Sequence, residues 1–129
     1  MNNYTITHCH TQLSSGTTNI DSITTYEDYI LRAKSLGMKA IAFTEHGNIF
    51  SWVKKKLTCE EHGIKYIHAM EAYITKSLDS KVRDNYHCCL YALNHDGVKE
   101  LNKLSSISFN KEHKYYAPRI TFSELLNTS

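Results

Sequence analysis

Two histidines separated by a single residue stand near the start of the chain, as His8-Cys9-His10. The stretch Tyr4–His10 has threonines at alternate positions, Thr5 and Thr7, and this alternation predicts a β-strand. In a strand, side chains at positions i and i+2 leave the same face. Both imidazoles can therefore reach one metal ion, whereas Cys9 points to the opposite face and is excluded as a third ligand.

Further metal-ligating side chains follow the other predicted strands. His46 and Glu71 lie at or near the ends of the second and third strands, His87 near the start of the fourth, and Asp21 in the loop after the first. A bridging carboxylate among neutral imidazoles is what a two- or three-metal hydrolytic site requires, because bound ions activate water and stabilise developing oxyanions. We interpret the remaining histidines as structural: His62, His68, His95 and His113.

The elements that must position these side chains alternate along the chain in the order β-α-β-α-β-β-α. Short apolar runs predict four strands, at Tyr4–His10, Lys39–Thr44, Ile64–Ile74 and Tyr86–Leu93. Helical periodicity predicts helices at Tyr26–Leu36 (capped by Thr24 or Thr25 and followed by Gly37), Ile49–His62 and Asp96–Phe109, with a further short helix beginning in Thr121–Leu126. Loops are predicted at Ser14–Ser22, Leu78–Asn85 and Lys111–Tyr116. This order predicts an α/β fold with a mostly parallel sheet, whose chemistry sits at the carboxyl ends of the strands.

Composition and length exclude several classes of protein. The chain has 129 residues and a formal net charge of +2, so it is neither a basic nucleic-acid-binding arm nor a membrane-surface polycation. It has no apolar run of transmembrane length and no signal peptide at its start, which predicts a cytoplasmic protein without membrane contact. A complete (β/α)₈ barrel of about 250 residues does not fit. We predict that Cys9, Cys59, Cys88 and Cys89 are reduced thiols.

Several segments resemble a known family. HCH, TEHGN and MEAY are similar to the first three motifs of the PHP (polymerase and histidinol phosphatase) domain. The chain resembles most closely the N-terminal PHP domains of the bacterial DNA polymerase III alpha subunit family, through RAKSLGMKAIAFTEHGNIFSWVKKK, GIKYIHAMEAYIT, YHCCLYALNHDGVKELNKLSS and HKYYAPRITFSELL. The similarity covers nearly the whole chain in register.

The resemblance implies a distorted (β/α)₇ barrel, of which residues 1–129 would form the N-terminal portion, a partial barrel of mostly parallel strands. Its implied metal ligands are His8, His10, Asp21, His46, Glu71 and His87. Asp21 is assigned by its spacing of sixteen residues from Gly37, because the surrounding SSGTTN departs from the family pattern. Glu45 stands where the family usually has Asp, and we predict a catalytic role for it beside the ligand His46. The family's later ligands lie beyond Ser129. The implied cofactors are divalent ions, zinc or manganese first and magnesium as the alternative.

The function that the resemblance implies is metal-dependent phosphoester hydrolysis, of the 3′-5′ exonuclease or pyrophosphatase type, within a DNA polymerase III alpha-type chain. The alternative is a catalytically inactive PHP scaffold that supports the polymerase. An unrelated amidohydrolase-like barrel also begins with H-x-H, but TEHGN disfavours it. The implied partners are DNA and the remainder of the alpha chain, and exposed barrel edges predict self-association. We interpret the run Lys54–Lys56 as a solvated helix face in preference to a nucleic-acid contact.

Overall fold

The fold is seen in a computed structural model that describes residues 4–14, 21–79, 81, 83 and 85–128. The predicted loops Ser14–Ser22 and Leu78–Asn85 therefore lie partly outside the described residues. The elements, in chain order, are α1 (Tyr26–Ser35), β1 (Ala40–Ala42), α2 (Trp52–Glu61), β2 (Lys65–Ile67), β3 (Ala69–Thr75), β4 (Tyr86–Tyr91), α3 (His95–Ser108), β5 (Arg119–Thr121) and α4 (Phe122–Leu126).

The described strands form two small sheets. In the first, β1 pairs in parallel with β2. In the second, the order is β4-β3-β5, with β3 antiparallel to β4 and parallel to β5. The predicted α/β class is confirmed in this mixed form, with an antiparallel pair where consecutive strands β3 and β4 form a hairpin. The partial barrel stays a prediction.

Side-chain caps explain where three helices begin. The hydroxyl of Thr25 accepts a hydrogen bond from the backbone N–H of Asp28 at the start of α1, and Asn94 does the same for Gly97 at the start of α3. A capping box between Thr121 and Glu124 begins α4. The observed first residues of α1 and α3, Tyr26 and His95, agree with the predicted first residues to within one residue.

Helix α2 begins at Trp52, three residues later than the predicted start at Ile49. The amide oxygen of Asn48 accepts the N–H of Phe50, and Ser51 adopts a left-handed conformation with φ of 59°. These local bonds hold the backbone in a turn after β1, so helical geometry is delayed.

The predicted strand at Tyr4–His10 is not a regular strand. Ile6 forms one isolated parallel bridge with Ile41, and the N–H of Thr44 donates to the carbonyl of Cys9 at 3.0 Å. The hydroxyl of Thr44 accepts the N–H of Cys9 at 3.1 Å, so a side chain takes a bond that a regular ladder would give to backbone. The segment nevertheless runs beside β1.

The predicted strand Ile64–Ile74 is two strands in different sheets, β2 and β3, with the break at His68. The imidazole of His68 hydrogen-bonds the hydroxyl of Tyr66 and the side-chain oxygen of Asn102, each at 3.0 Å. These contacts bury His68 between the sheets, where the chain leaves one and enters the other. The three-residue β5 was not predicted, since so short a segment after Pro118 carries little periodicity.

The core has two parts, one on each sheet. The apolar face of α1 packs on β1, with Ile30 and Phe43 almost fully buried. The apolar face of α3 packs on β3 and β5, with Leu101, Leu104 and Ile120 at its centre. All four cysteines are free thiols, in agreement with the sequence-based prediction. None of the described helices has the length and apolarity needed to cross a bilayer.

Candidate metal centre

The carboxylate of Glu71 stands at the centre of the candidate site. Glu71 lies in β3 with its side chain 7% exposed. Its Oε2 is 3.0 Å from Nε2 of His8 and 3.1 Å from Nε2 of His10, and its Oε1 is 2.7 Å from Nδ1 of His87. Each carboxylate oxygen therefore faces a different set of imidazoles.

His46 completes the cluster from the turn after β1. Its Nδ1 is 3.6 Å from Oε2 of Glu71, and its Nε2 is 3.6 Å from Oδ2 of Asp21. This Nδ1 is buried and has no hydrogen-bond partner among the described residues. A buried, unpaired ring nitrogen aimed at a carboxylate is costly in an apo protein and suits a ligand to a cation.

Backbone pairing brings these ligands together. His46 forms a parallel bridge with Glu71, in which the N–H of Gly47 donates to the carbonyl of Glu71 at 2.7 Å. On β4, His87 lies opposite Tyr73, whose ring packs against the imidazoles of both His46 and His87. The histidines therefore come from three separate segments around one strand.

The hydroxyl of Ser14 supports two of the histidines at once. It lies 2.7 Å from Nδ1 of His10 and accepts the backbone N–H of His46 at 2.8 Å. Ser14 is fully buried. Sequence reasoning placed this serine in a polar loop and missed the contact, for which the only available signal was a serine four residues after the second histidine of the pair.

Glu45 does not join the cluster. Its carboxylate points to the opposite side, where it accepts the backbone N–H of Thr11 at 3.0 Å, the hydroxyl of Thr11 at 2.6 Å and the ammonium of Lys55 at 2.6 Å. Glu45 is 1% exposed. Its bonds connect the segment of Thr11 with Lys55 of α2, and its catalytic role stays a prediction.

Electrostatics favour the protonation states that metal binding requires. Burial, followed by the nearby His46, lowers the pKa of His10, which keeps its imidazole neutral near pH 7. Burial on its own raises the pKa of Glu71. The hydrogen bond from His8 and the neighbouring imidazoles lower this pKa by more than burial raises it, so the net shift is downward. Glu71 is therefore an ionised carboxylate, and it faces the neutral imidazole of His10.

The donor set fits a pair of divalent cations. His8, His10 and Glu71 form one group and His46, Glu71 and His87 form another, with the ligand atoms of each group within 4.8 Å of one another. Glu71 belongs to both groups, as a bridging carboxylate must. Nitrogen and carboxylate ligands suit zinc and manganese. The structure thus brings five of the predicted ligands together and places Asp21 at their edge, beside His46.

The other four histidines lie outside both groups. The imidazole of His68 bonds Asn102 and that of His113 bonds Glu124, at 2.6 Å in the second case. His62 is the C-cap residue of α2, and His95 begins α3.

Comparisons with known proteins agree with the motifs. The PHP domain profile matches residues 7–129. DNA polymerase III subunit alpha of Helicobacter pylori (strain ATCC 700392 / 26695) is 38% identical over 120 residues, which are 91% of this chain and 10% of that protein. The same subunit of Aquifex aeolicus (strain VF5) is 36% identical over 130 residues, covering 92% of this chain and 11% of that protein. The chain thus spans about a tenth of the length of the curated relatives it matches.

Solved structures share the fold at low sequence identity. A protein of Bifidobacterium adolescentis proposed to be a metal-dependent phosphoesterase has a TM-score of 0.52 and 20% identity, covering 81% of this chain and 34% of that one. An amidohydrolase of Chromobacterium violaceum, solved with sulfate and no metal, has a TM-score of 0.53 and 16% identity, covering 80% and 34%. At such identities the likeness concerns the fold. The profile match and the polymerase relatives together establish that the chain belongs to the PHP domain family.

Proposed function

We propose that this chain binds divalent metal ions at the Glu71 cluster and hydrolyses phosphoesters there, as part of a DNA polymerase III alpha-type protein. One observation carries the proposal: a single buried carboxylate, that of Glu71, belongs to two groups of candidate ligands, one with His8 and His10 and the other with His46 and His87. Two adjacent cations bridged by a carboxylate are the arrangement used for in-line displacement at phosphorus.

Each side chain has a distinct part in this proposal. The imidazoles of His8 and His10 would hold one ion and those of His46 and His87 the other, with Glu71 between them and Asp21 beside His46. The ions supply Lewis acidity and an activated water when bound. Glu71 offsets their charge, and its contacts with the neighbouring imidazoles keep its carboxylate ionised and fixed. The side chains of His8 and His87 are about half exposed, which leaves that side of the cluster open to a substrate.

The finer features of this function are also proposals. A phosphodiester at a DNA 3′ end and pyrophosphate are the two substrate types, zinc or manganese the ions, and the rest of an alpha chain the principal partner. Self-association is supported by large apolar side chains left in solvent, such as Leu93 and Leu126 at 96% and 81% exposure. The cytoplasmic location stays a prediction.

A scaffold without catalysis is the second candidate. It is favoured by the same openness of His8 and His87, because a hydrolytic centre normally holds its ligands in a shielded, preorganised cavity. The scaffold predicts metal binding, or a retained fold, without turnover.

The experiment is a comparison of metal content and hydrolysis in the purified chain. We expect zinc or manganese by elemental analysis, and cleavage of a 3′-ended oligonucleotide or of pyrophosphate that EDTA abolishes. Glu71→Gln should lose both. Glu124→Gln is a matched control, because Glu124 also bonds a histidine but lies outside the cluster.

The possible results separate the candidates. Metal binding without hydrolysis of either substrate would favour the scaffold. A chain that takes up no metal, although folded by circular dichroism, would contradict the metal centre itself.

A further inference from the structure

A buried ion pair lies directly behind the candidate metal centre. The ammonium of Lys55, in α2, is 2.6 Å from Oε1 of Glu45, and both residues are 1% exposed. Charged groups are rarely buried to this degree, since removing each of them from water is costly. A buried pair is therefore weak evidence for stability, and fixing the register of neighbouring segments is a known use of buried polar and ionic groups.

The pair connects the two backbone segments that bear candidate ligands. Glu45 immediately precedes His46, and the residue to which its carboxylate bonds, Thr11, immediately follows His10. Thr11 is itself fully buried, and its hydroxyl also accepts the N–H of Leu13. The separation of His10 from His46 therefore depends on where the carboxylate of Glu45 lies.

Lys55 determines that position. Its ammonium bonds Oε1, the same oxygen that accepts the hydroxyl of Thr11, and it is the only described cation paired with Glu45. Without Lys55, a buried anion would remain next to a centre built to attract cations, and only the two hydrogen bonds from Thr11 would hold it in place. With Lys55 in place, the anion is neutralised and directed away from the metal ligands.

We infer that Lys55 is a positioning residue for the metal centre, acting through Glu45 and Thr11 to hold the segments of His10 and His46 at the separation that metal binding needs. The inference rests on the proposed function, since it concerns how well the cluster binds its ions. It assigns a role to Lys55, whose neighbours in the run, Lys54 and Lys56, are exposed to solvent.

The test uses Co²⁺ as a spectroscopic probe, because its visible absorption reports ligand geometry, together with thermal unfolding of the metal-free chain. The variants are Lys55→Met, Glu45→Gln and the double variant Glu45→Gln/Lys55→Met. Lys56→Met is the matched control, being the same substitution in the next residue of α2, where the lysine is exposed and pairs with Glu60.

We expect each single variant to lower Tm, by about 10 °C or more, because it leaves one buried charge unpaired. The double variant removes both charges, so most of the lost Tm should return. Its affinity for Co²⁺ should nevertheless remain about 10- to 100-fold below that of the unmodified chain, with an altered visible spectrum, as is typical when a group that orients metal ligands is lost. Lys56→Met should match the unmodified chain in both measurements.

Each result decides the inference. If the double variant recovers Co²⁺ affinity and spectrum together with Tm, the pair is only structural and the inference is overturned, while the proposed function stands. If the unmodified chain itself binds no Co²⁺, the proposed function and the inference fall together. The double variant keeps the test valid even where a single variant does not fold.

Discussion

The hydroxyl of Ser14 lies 2.7 Å from Nδ1 of His10, in a fully buried position. The other ring nitrogen, Nε2, faces Glu71 at 3.1 Å. A histidine that binds a metal through one nitrogen is usually oriented by a hydrogen bond at the other. Ser14 can provide this orientation, because its oxygen can accept a hydrogen bond from Nδ1–H of His10 and another from the backbone N–H of His46 at the same time.

From this contact we predict that Ser14→Ala weakens metal binding by about 10- to 100-fold. The methyl group cannot orient His10 and leaves the N–H of His46 unpaired. Calorimetric titration with Zn²⁺ measures the effect. Ser108→Ala is the control, because its buried hydroxyl donates to the carbonyl of Ser105 within α3, away from the candidate ligands. Equal affinity in the two variants would contradict the role of Ser14.

A second prediction concerns Gly47, which follows the candidate ligand His46. Its φ is 64°, and an added Cβ would lie 2.6 Å from Cγ of Pro118 and 3.0 Å from the ring of Tyr73. Gly63 has a similar φ of 69° with open space around its Cα. Both alanine variants incur the left-handed penalty of about 1–2 kcal/mol, but only Gly47→Ala overpacks its surroundings, by about a further 1–3 kcal/mol.

Urea unfolding of the two variants measures this difference. We expect Gly47→Ala to have the lower free energy of unfolding and to weaken metal binding as well, because Tyr73 packs on His46 and His87. Gly63→Ala should leave metal binding unchanged. Equal losses of stability would show that the Pro118 contact relaxes freely.

A third prediction concerns the cysteines. Burial raises the pKa of Cys9 to about 12 and that of Cys59 to about 11. It also raises the pKa of Cys89, but Cys88 and Cys89 are partly exposed and so can be reached by a reagent. Because the thiolate is the reactive form, iodoacetamide at pH 8 should modify Cys88 and Cys89 in the native chain and reach Cys9 and Cys59 only in urea. Peptide mass spectrometry distinguishes the sites. Native labelling of Cys9 at the rate of Cys88 would show that the segment carrying His8 and His10 opens readily.

Part of the candidate site could be predicted from short motifs. The His-x-His spacing places His8 and His10 on one side of an extended segment even though the regular strand is absent, and both contact Glu71. The segments of His46 and Glu71 run in parallel and are joined by an isolated bridge, so the two residues meet through backbone pairing. Their role in metal binding stays a prediction.

The remaining features depend on contacts between distant residues. Ser14 belongs to a polar loop, and nothing in its neighbours indicates that its hydroxyl reaches His46, thirty-two positions away. Likewise, a run of three lysines indicates an exposed helix face, yet Lys55 is buried against Glu45 while Lys56 is not. The break at His68 was missed because its partner Asn102 lies on α3. The hydrophobic periodicity of a segment indicates which of its residues are buried. It does not indicate which other helix or strand packs on them.

The last prediction is a pH dependence of stability at the C-terminal capping box. The carboxylate of Glu124 bonds Nε2 of His113 at 2.6 Å and the backbone N–H and hydroxyl of Thr121. Burial alone raises the pKa of Glu124, but the hydrogen bonds from His113 and Thr121 outweigh it and lower the pKa below its ordinary value. Because the pKa is lower in the folded chain, the ionised carboxylate stabilises the fold above its unfolded pKa, and this contribution is lost as pH falls through the folded value.

Comparison of Glu124→Gln with the unmodified metal-free chain by urea unfolding between pH 3 and pH 7 tests this sign. Above about pH 4.5 the unmodified chain should have the larger free energy of unfolding, since glutamine keeps the cap only in part and loses the charge-assisted bond to His113. The difference should shrink as the solution is made more acidic, because protonation of Glu124 removes the same charge. A difference that stays constant over this range would show that Glu124 acts through packing alone, and one that grows toward acid would reverse the assigned pKa shift.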